Sequence, residues 1–90
     1  MRFEWDDTKS RLNYEKHGVT FLEAATVFAD ALSILKSDPL HSEEEERLIL
    51  LGQSKQQRFL VVVHRERGDS IRIISARLAT ARERRNYEED

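Results

Sequence analysis

The polar and hydrophobic positions of this chain follow a helical spacing in its first third and a strand-like spacing in its second half. After a short extended start at Phe3, the segment that begins at Asp6 contains neither Gly nor Pro until Gly18. Asp6 suits a helix N-cap and Gly18 a helix C-cap, so a helix is predicted between them. Thr20 and Glu23 then form a capping box, and the apolar residues that follow recur at helical spacing. The pattern predicts an N-terminal pair of helices.

Four apolar runs follow, and they predict the strands of an antiparallel meander because the loops between the last three are short and polar. The predicted strands are Leu32–Lys36, Leu48–Leu51, Phe59–Val63 and Ser70–Ala76. A second capping box, Thr80 with Glu83, predicts a C-terminal helix. The expected fold is therefore α+β, in the order β-α-α-β-β-β-β-α, as one domain over residues 1–90 with an antiparallel sheet.

Arginines lie within or next to the last two predicted strands, and the simplest strand registers place them on the sheet. The expected opposed pairs are Arg65 with Ser70, Val63 with Arg72, Arg58 with Arg77, and Arg47 with His64. This arrangement separates an arginine-rich end of the sheet from Arg77 at the other end. An arginine in a strand must reach water, an acid or an anionic ligand, since burying it unpaired is costly. Its planar fork suits carboxylates and phosphates.

Composition narrows the class of protein. The chain has no cysteine, which excludes disulfides and Cys-ligated metals, and no apolar stretch approaches the roughly 20 residues of a membrane span. We therefore expect a cytoplasmic protein. Residues 1–54 hold 6 basic and 11 acidic side chains, whereas residues 55–85 hold 9 basic and 3 acidic ones. A basic second half is typical of proteins that bind nucleic acid or an acidic partner, and also of a solvated surface of mixed charge.

The candidate chemistry relies on basic side chains, since the three scattered histidines and the consecutive glutamates at 43–46 do not have metal-ligand spacing. No metal or cofactor is expected. Lys9, Asn13 and His17 are spaced by four residues and therefore share one side of the first helix. Two interpretations fit this side: a polar strip that faces a phosphate, or a helix face exposed to solvent. Arginine, lysine and histidine suit metal-free phosphodiester cleavage, in which the 2′-hydroxyl of RNA attacks its own phosphate.

An ordered series of residues extends over nearly the full length of the chain. It comprises Phe3-Glu4-Trp5-Asp6, Lys9, Asn13, Lys16-His17-Gly18-Val19, Phe21, Glu23-Ala24, Val27-Phe28, Glu45, Arg47, Gly52, the run 72–77, Ala79-Thr80 and the run 83–87. Together these residues resemble the BrnT toxins. The resemblance implies a RelE-like fold and a ribonuclease that blocks translation, as the toxin of a type II toxin–antitoxin pair, with RNA, free or on the ribosome, as substrate. It also implies a BrnA-type antitoxin with a ribbon-helix-helix domain, which neutralises the toxin and carries the complex to operator DNA to repress the operon.

The resemblance also carries over candidate site residues. We expect Arg47 and Arg72 to bind the phosphate, and we add Arg65 from its predicted position. His17 is the expected proton-transfer group. These four form the predicted catalytic set.

A second group of residues is expected to contact RNA. Lys9 and Asn13 belong to it, with Lys9 as electrostatic support. Arg77 either binds RNA or pairs with an acid to brace the last helix, and Tyr87 either stacks on a base or packs that helix. Two other functions fit the residues without the resemblance: a non-catalytic module that binds nucleic acid or an acidic protein, and a structural partner that associates through an apolar sheet face.

Overall fold

The computed structural model describes residues 1–38 and 46–89, and it contains the predicted elements in the predicted order. The elements are strand β1 (Arg2–Glu4), helices α1 (Asp7–His17) and α2 (Phe21–Thr26), a 3-10 turn (Val27–Ala29), strands β2 (Ile34–Ser37), β3 (Leu48–Gln53), β4 (Phe59–Arg67) and β5 (Ser70–Leu78), and helix α3 (Ala81–Glu89). The predicted α+β class is thus confirmed. Glu45, one of the residues that carry the resemblance, lies outside the described residues. None of the described helices has the length and apolarity that crossing a bilayer would demand.

The strands form one mixed sheet in the order β1-β5-β4-β3-β2. Strands β2 to β5 pair antiparallel with their neighbours in the chain, as the short loops predicted. Strand β1 pairs parallel with β5, so that Glu4 lies beside Arg72. The sequence pattern predicted an extended start but not this pairing, which brings the two ends of the chain together.

The strand register differs from the prediction. The β4–β5 turn is tighter than expected: Arg67 pairs with Ser70, across Gly68 and Asp69, and Gly68 takes a φ of 56° that glycine adopts without strain. A β-bulge between Val63 and His64 then shifts the register again. The four expected pairs are therefore wrong. The observed pairs are Arg65 with Arg72, Val63 with Ser75, Val61 with Arg77, Gln53 with Phe59, and Leu48 with His64.

Side-chain caps explain where the helices begin and end. The Asp6 carboxylate accepts a hydrogen bond from the Lys9 backbone N–H at 3.0 Å, and the Thr20 hydroxyl accepts one from the Glu23 N–H at 3.0 Å. Helix α1 ends at Gly18, whose φ of 69° allows its N–H to bond back to the Tyr14 carbonyl. These local signals are the ones that the sequence pattern identified.

The core lies between the first two helices and one face of the sheet, called here the helix-covered face. Its buried residues are Val19, Phe21, Ala24 and Val27 from the helical layer, and Leu50, Leu60, Val62, Ile73 and Ala76 from the sheet. Opposed residues share a face, so Val61, Arg65, Arg72 and Arg77 lie on the other side, called here the arginine face. Helix α3 covers part of the arginine face and has no buried residue of its own.

Candidate functional site

Arg65 and Arg72 lie directly opposite each other on neighbouring strands of the arginine face. Both side chains are partly exposed. Directly opposed like charges destabilise a strand pair, so this position is costly unless an anion or a carboxylate offsets the repulsion. Side chains at directly opposed positions lie close together, so two guanidinium groups placed this way suit a shared anionic partner.

Arg47 extends this line of arginines across the sheet. Leu48 pairs with His64, so Arg47, one residue earlier, lies at the level of Arg65 rather than of His64 as predicted. It is partly buried, and its backbone carbonyl accepts a hydrogen bond from the Asp38 N–H at 2.9 Å. We call Arg47, Arg65 and Arg72 the arginine row.

A carboxylate that the sequence analysis did not single out stands at the end of the arginine row. Glu4 lies beside Arg72 through the β1–β5 pairing, and its Oε1 is 4.0 Å from the Arg72 Nη1 and 3.8 Å from the Arg67 Nη1. These separations are long for direct hydrogen bonds, so Glu4 balances the two arginines without closing on either. In the sequence, the apolar Phe3 lies between the charged Arg2 and Glu4. This alternation is the signal that could have placed Glu4 on the face opposite to Phe3.

Lys9 lies at the same end of the molecule as the arginine row. The backbone hydrogen bond from Lys9 is the largest cause of the lowered pKa of Asp6, and the charges of Lys9 and Arg72 act in the same direction. Asp6 is therefore within electrostatic range of both cations. Lys9 is exposed on the first turn of α1, where it can add positive potential near Arg72.

The structure does not bring His17 beside the arginine row. His17 is the last residue of α1, about 12 Å along the helix axis from Lys9. The next carbonyl, that of Gly18, accepts a hydrogen bond from the Arg58 Nη2 at 3.0 Å, at the opposite end of the sheet from Arg72. This position removes the geometric basis for the predicted proton transfer by His17.

Asn13, predicted to contact RNA, is buried and holds α1 against β5. Its Nδ2 donates to the Val19 carbonyl at 3.0 Å and to the Ala76 carbonyl at 2.8 Å. Its Oδ1 accepts from the Ala76 N–H at 3.1 Å. With both amide hydrogens in use and the side chain enclosed, Asn13 has a structural role, and the polar strip on α1 is not a continuous RNA-facing surface.

His64 lies on the helix-covered face, away from the arginines with which the predicted register grouped it. It is 1% exposed, and its ring meets that of Phe28 edge-on at a centroid distance of 4.8 Å. Burial lowers the pKa of His64, so the ring is neutral in the folded protein near neutral pH. It is a core histidine on a central strand.

Arg77 pairs with an acid at the start of α3. Its two Nη atoms donate to the two Glu83 carboxylate oxygens at 2.8 and 2.9 Å. Glu83 also accepts from the Thr80 N–H, which completes the predicted capping box. This bidentate contact is the brace that the sequence analysis left as one of two alternatives, and it lies away from the arginine row on the same face.

Tyr87 packs α3 onto the sheet. Its ring meets that of Phe59 at a centroid distance of 5.1 Å, and its hydroxyl donates to the Asp30 Oδ2 at 2.8 Å. The Arg84 guanidinium lies over the Phe59 ring, at 4.5 Å from its centroid. The geometry favours packing over base stacking for Tyr87.

A buried acid ties the helical layer to the β3–β4 hairpin at the opposite end from the arginine row. Glu23, 5% exposed, accepts hydrogen bonds from the Arg58 guanidinium and from the Ser54 hydroxyl. The Arg58 hydrogen bonds lower the pKa of Glu23, and those same bonds raise the pKa of Arg58. Arg58 is thus on the helix-covered face, not beside Arg77 as predicted. Residues 1–38 and 46–89 contain no group of three or more acidic or histidine side chains placed to hold a metal ion.

Comparison with known proteins gives two matches of different kinds. The family model described as "Ribonuclease toxin, BrnT, of type II toxin-antitoxin system" matches residues 5–83. Among solved structures, the chain is similar to the 1.1 Å crystal structure of the Brucella abortus ribonuclease toxin BrnT, with a TM-score of 0.66 and 24% sequence identity over 89% of this chain and 97% of that one. That structural likeness confirms the fold. No curated protein matches the chain.

Proposed function

We propose that this chain, which belongs to the family of BrnT ribonuclease toxins of type II toxin–antitoxin systems, cleaves RNA internally at the arginine row. The observation that carries the proposal is the direct opposition of Arg65 and Arg72 on the exposed side of the sheet. A phosphodiester is the anion that such a pair suits, because two forks can each engage a non-bridging oxygen.

The proposed chemistry needs no external nucleophile. The 2′-hydroxyl of the nucleotide attacks the adjacent phosphorus, and the arginine row stabilises the charge that grows on the phosphoryl oxygens. Arg47, Arg65 and Arg72 would bind the phosphate, and Lys9 would add positive potential beside it. The positions of His17 and Asn13 support neither a catalytic nor an RNA-binding role, so we leave both residues out of the proposed site.

A cleavage assay on the purified protein tests this proposal. Labelled RNA is mixed with excess protein in the presence of a chelator, and the products are resolved by length. We expect cleavage by the wild type, and a loss on the order of 100-fold for Arg65→Ala and for Arg72→Ala. Arg11→Ala, an exposed arginine on α1, is the matched control and should cleave normally.

Two outcomes would contradict the proposal. Salt-sensitive RNA binding by folded wild-type protein without any product would indicate the alternative function, a non-catalytic nucleic-acid module. Cleavage by both arginine variants at the wild-type rate would place the active site elsewhere.

The family membership also implies a protein antitoxin. We propose that this partner is a BrnA-type protein with a ribbon-helix-helix domain, that it silences the ribonuclease, and that the toxin reaches operator DNA only through it. Expression of the chain alone should arrest growth and protein synthesis, and co-expression of the neighbouring antitoxin gene should restore both. Operator DNA should shift in gels with the complex and not with the toxin alone. Reporter cleavage with and without ribosomes decides whether the ribosome takes part.

A further inference from the structure

Glu4 is the carboxylate that faces the arginine row within the described part of the chain. Its side chain is 37% exposed and that of Arg72 is 29% exposed, so both border solvent on the arginine face. Strand β1 places Glu4 at the end of the line formed by Arg65 and Arg72. A phosphate held by these two guanidinium groups would therefore have a carboxylate beside it.

The acids nearest to this site in the chain are committed elsewhere. The Asp6 carboxylate caps α1 through the Lys9 N–H. Glu66 pairs with Ile71, one of the buried core residues, so its side chain starts from the helix-covered side of the sheet. Glu83 is held by Arg77 and Thr80 at the other end of β5. Glu4, in contrast, makes long ion pairs with Arg67 and Arg72, and neither arginine is within direct hydrogen-bond distance of it.

We propose that Glu4 is the general base of the cleavage reaction, an inference that rests on the proposed ribonuclease function. Glu4 takes the proton of the 2′-hydroxyl as the 2′-oxygen bonds to phosphorus. The bond from phosphorus to the 5′-oxygen breaks, and that oxygen takes a proton from water on this exposed face. The products are a 2′,3′-cyclic phosphate and a 5′-hydroxyl, and Glu4 returns its proton to solvent. Arg67 and Arg72 orient the carboxylate through its Oε1, to which both long ion pairs run.

The test separates basicity from charge and shape. Glu4→Gln keeps the size and hydrogen-bonding shape of the side chain but cannot accept the proton. We expect its single-turnover cleavage rate to fall on the order of 100-fold. Its affinity for an RNA blocked by a 2′-deoxy nucleotide at the cleaved position should be equal to or tighter than that of the wild type, because a negative charge next to the phosphate is removed. Glu66→Gln makes the same charge change nearby and should leave the rate unchanged.

Each outcome bears on one hypothesis. A wild-type protein that does not cleave RNA contradicts the proposed function itself. If the wild type cleaves and folded Glu4→Gln cleaves equally well, Glu4 is not the base and the ribonuclease function stands. A Glu4→Gln protein that loses affinity together with rate shows a positioning role, which also overturns the proposal. Glu4→Asp retains the carboxylate on a side chain that is shorter by one methylene, and it serves as the test if the Gln variant does not fold. A partial cleavage rate with unchanged affinity in the Asp variant supports Glu4 as the base. A complete loss of rate with weakened affinity overturns the proposal.

Discussion

The side chain of Asn13 pairs with both backbone groups of Ala76, as a neighbouring strand would. It accepts the Ala76 N–H at 3.1 Å and donates to the Ala76 carbonyl at 2.8 Å. Strand β1 pairs with β5 only as far as Arg72. Beyond that point α1 covers the edge of β5, and Asn13 satisfies backbone groups that an unprotected edge would leave open.

Replacing Asn13 by Ala should lower the free energy of unfolding by about 2 to 3 kcal/mol, because buried backbone groups at Ala76 and Val19 lose their partners. Urea denaturation measures the change, and the Ala76 amide should exchange with deuterium faster. Leu12→Ala, an exposed neighbour on the same helix, should change stability by less than about 0.5 kcal/mol. An Asn13→Ala protein as stable as the wild type would show that α1 is held by other contacts.

The ion pair between the buried Glu23 and the partly exposed Arg58 should contribute more to stability than the exposed Arg84–Glu88 pair. Glu23→Ala leaves the Arg58 guanidinium and the Ser54 hydroxyl without their acceptor, and should cost about 3 kcal/mol. Glu88→Ala removes a partner that is half exposed at 3.5 Å, and should cost less than about 0.5 kcal/mol. Equal melting temperatures for the two variants would contradict this ranking.

Acid should weaken the attachment of α3 through Glu83. The Arg77 hydrogen bonds lower the pKa of Glu83 from 4.5 to about 2. The stabilisation is therefore complete above pH 4.5 and is lost as the pH falls toward 2, by about 1 kcal/mol once solvent screening is considered. Unfolding curves measured across this window should be steeper in pH for the wild type than for Glu83→Gln. Identical curves would rule out the contribution of this carboxylate.

As the pH falls, His64 should also lower the stability of the protein, in a pH range above that of Glu83. Burial lowers its pKa below 6.5, so the unfolded chain binds the proton first as the pH falls. Stability is therefore full above pH 6.5 and decreases below it. His64→Leu, which cannot be protonated, should show a flatter dependence of the unfolding free energy between pH 7 and 5. If the unfolding free energies of the wild type and of this variant decrease in parallel, other groups control the pH dependence in that range.

Arg77→Ala should affect stability and leave RNA binding nearly intact, because its guanidinium is held by both oxygens of Glu83. Arg72→Ala should do the reverse, with weaker RNA affinity and little change in unfolding free energy. Fluorescence titration with uncleavable RNA at several salt concentrations distinguishes them, since removing a phosphate contact also lowers the salt dependence. If Arg77→Ala loses affinity as strongly as Arg72→Ala, Arg77 contacts RNA directly.

The sequence predicted the elements well because their signals are local. The hydroxyl of Thr20, the carboxylate of Asp6 and the backbone freedom of Gly18 act within one turn of the residues they cap, so their spacing alone locates the helix ends. The separation of Arg77 from the other sheet arginines was also predicted. The Arg58 environment was not, because the bulge between Val63 and His64 shifts the β4–β5 register by one residue, which places Arg58 and Arg77 on opposite faces.

The site depended on features without a local signal. A two-residue turn at Gly68 and Asp69 decides that Arg65 faces Arg72, and a single bulge next to His64 decides that Val61 faces Arg77. The parallel pairing that brings Glu4 to Arg72 joins residues from opposite ends of the chain. Such contacts depend on the whole fold, and a pattern within one strand does not specify them.

The pairing of β1 with β5 also determines when the site can exist during synthesis. Glu4 leaves the ribosome 68 residues before Arg72. Until β5 has emerged, β1 has no strand to pair with, and the arginine row is incomplete. A nascent chain interrupted before β5 therefore lacks the assembled row.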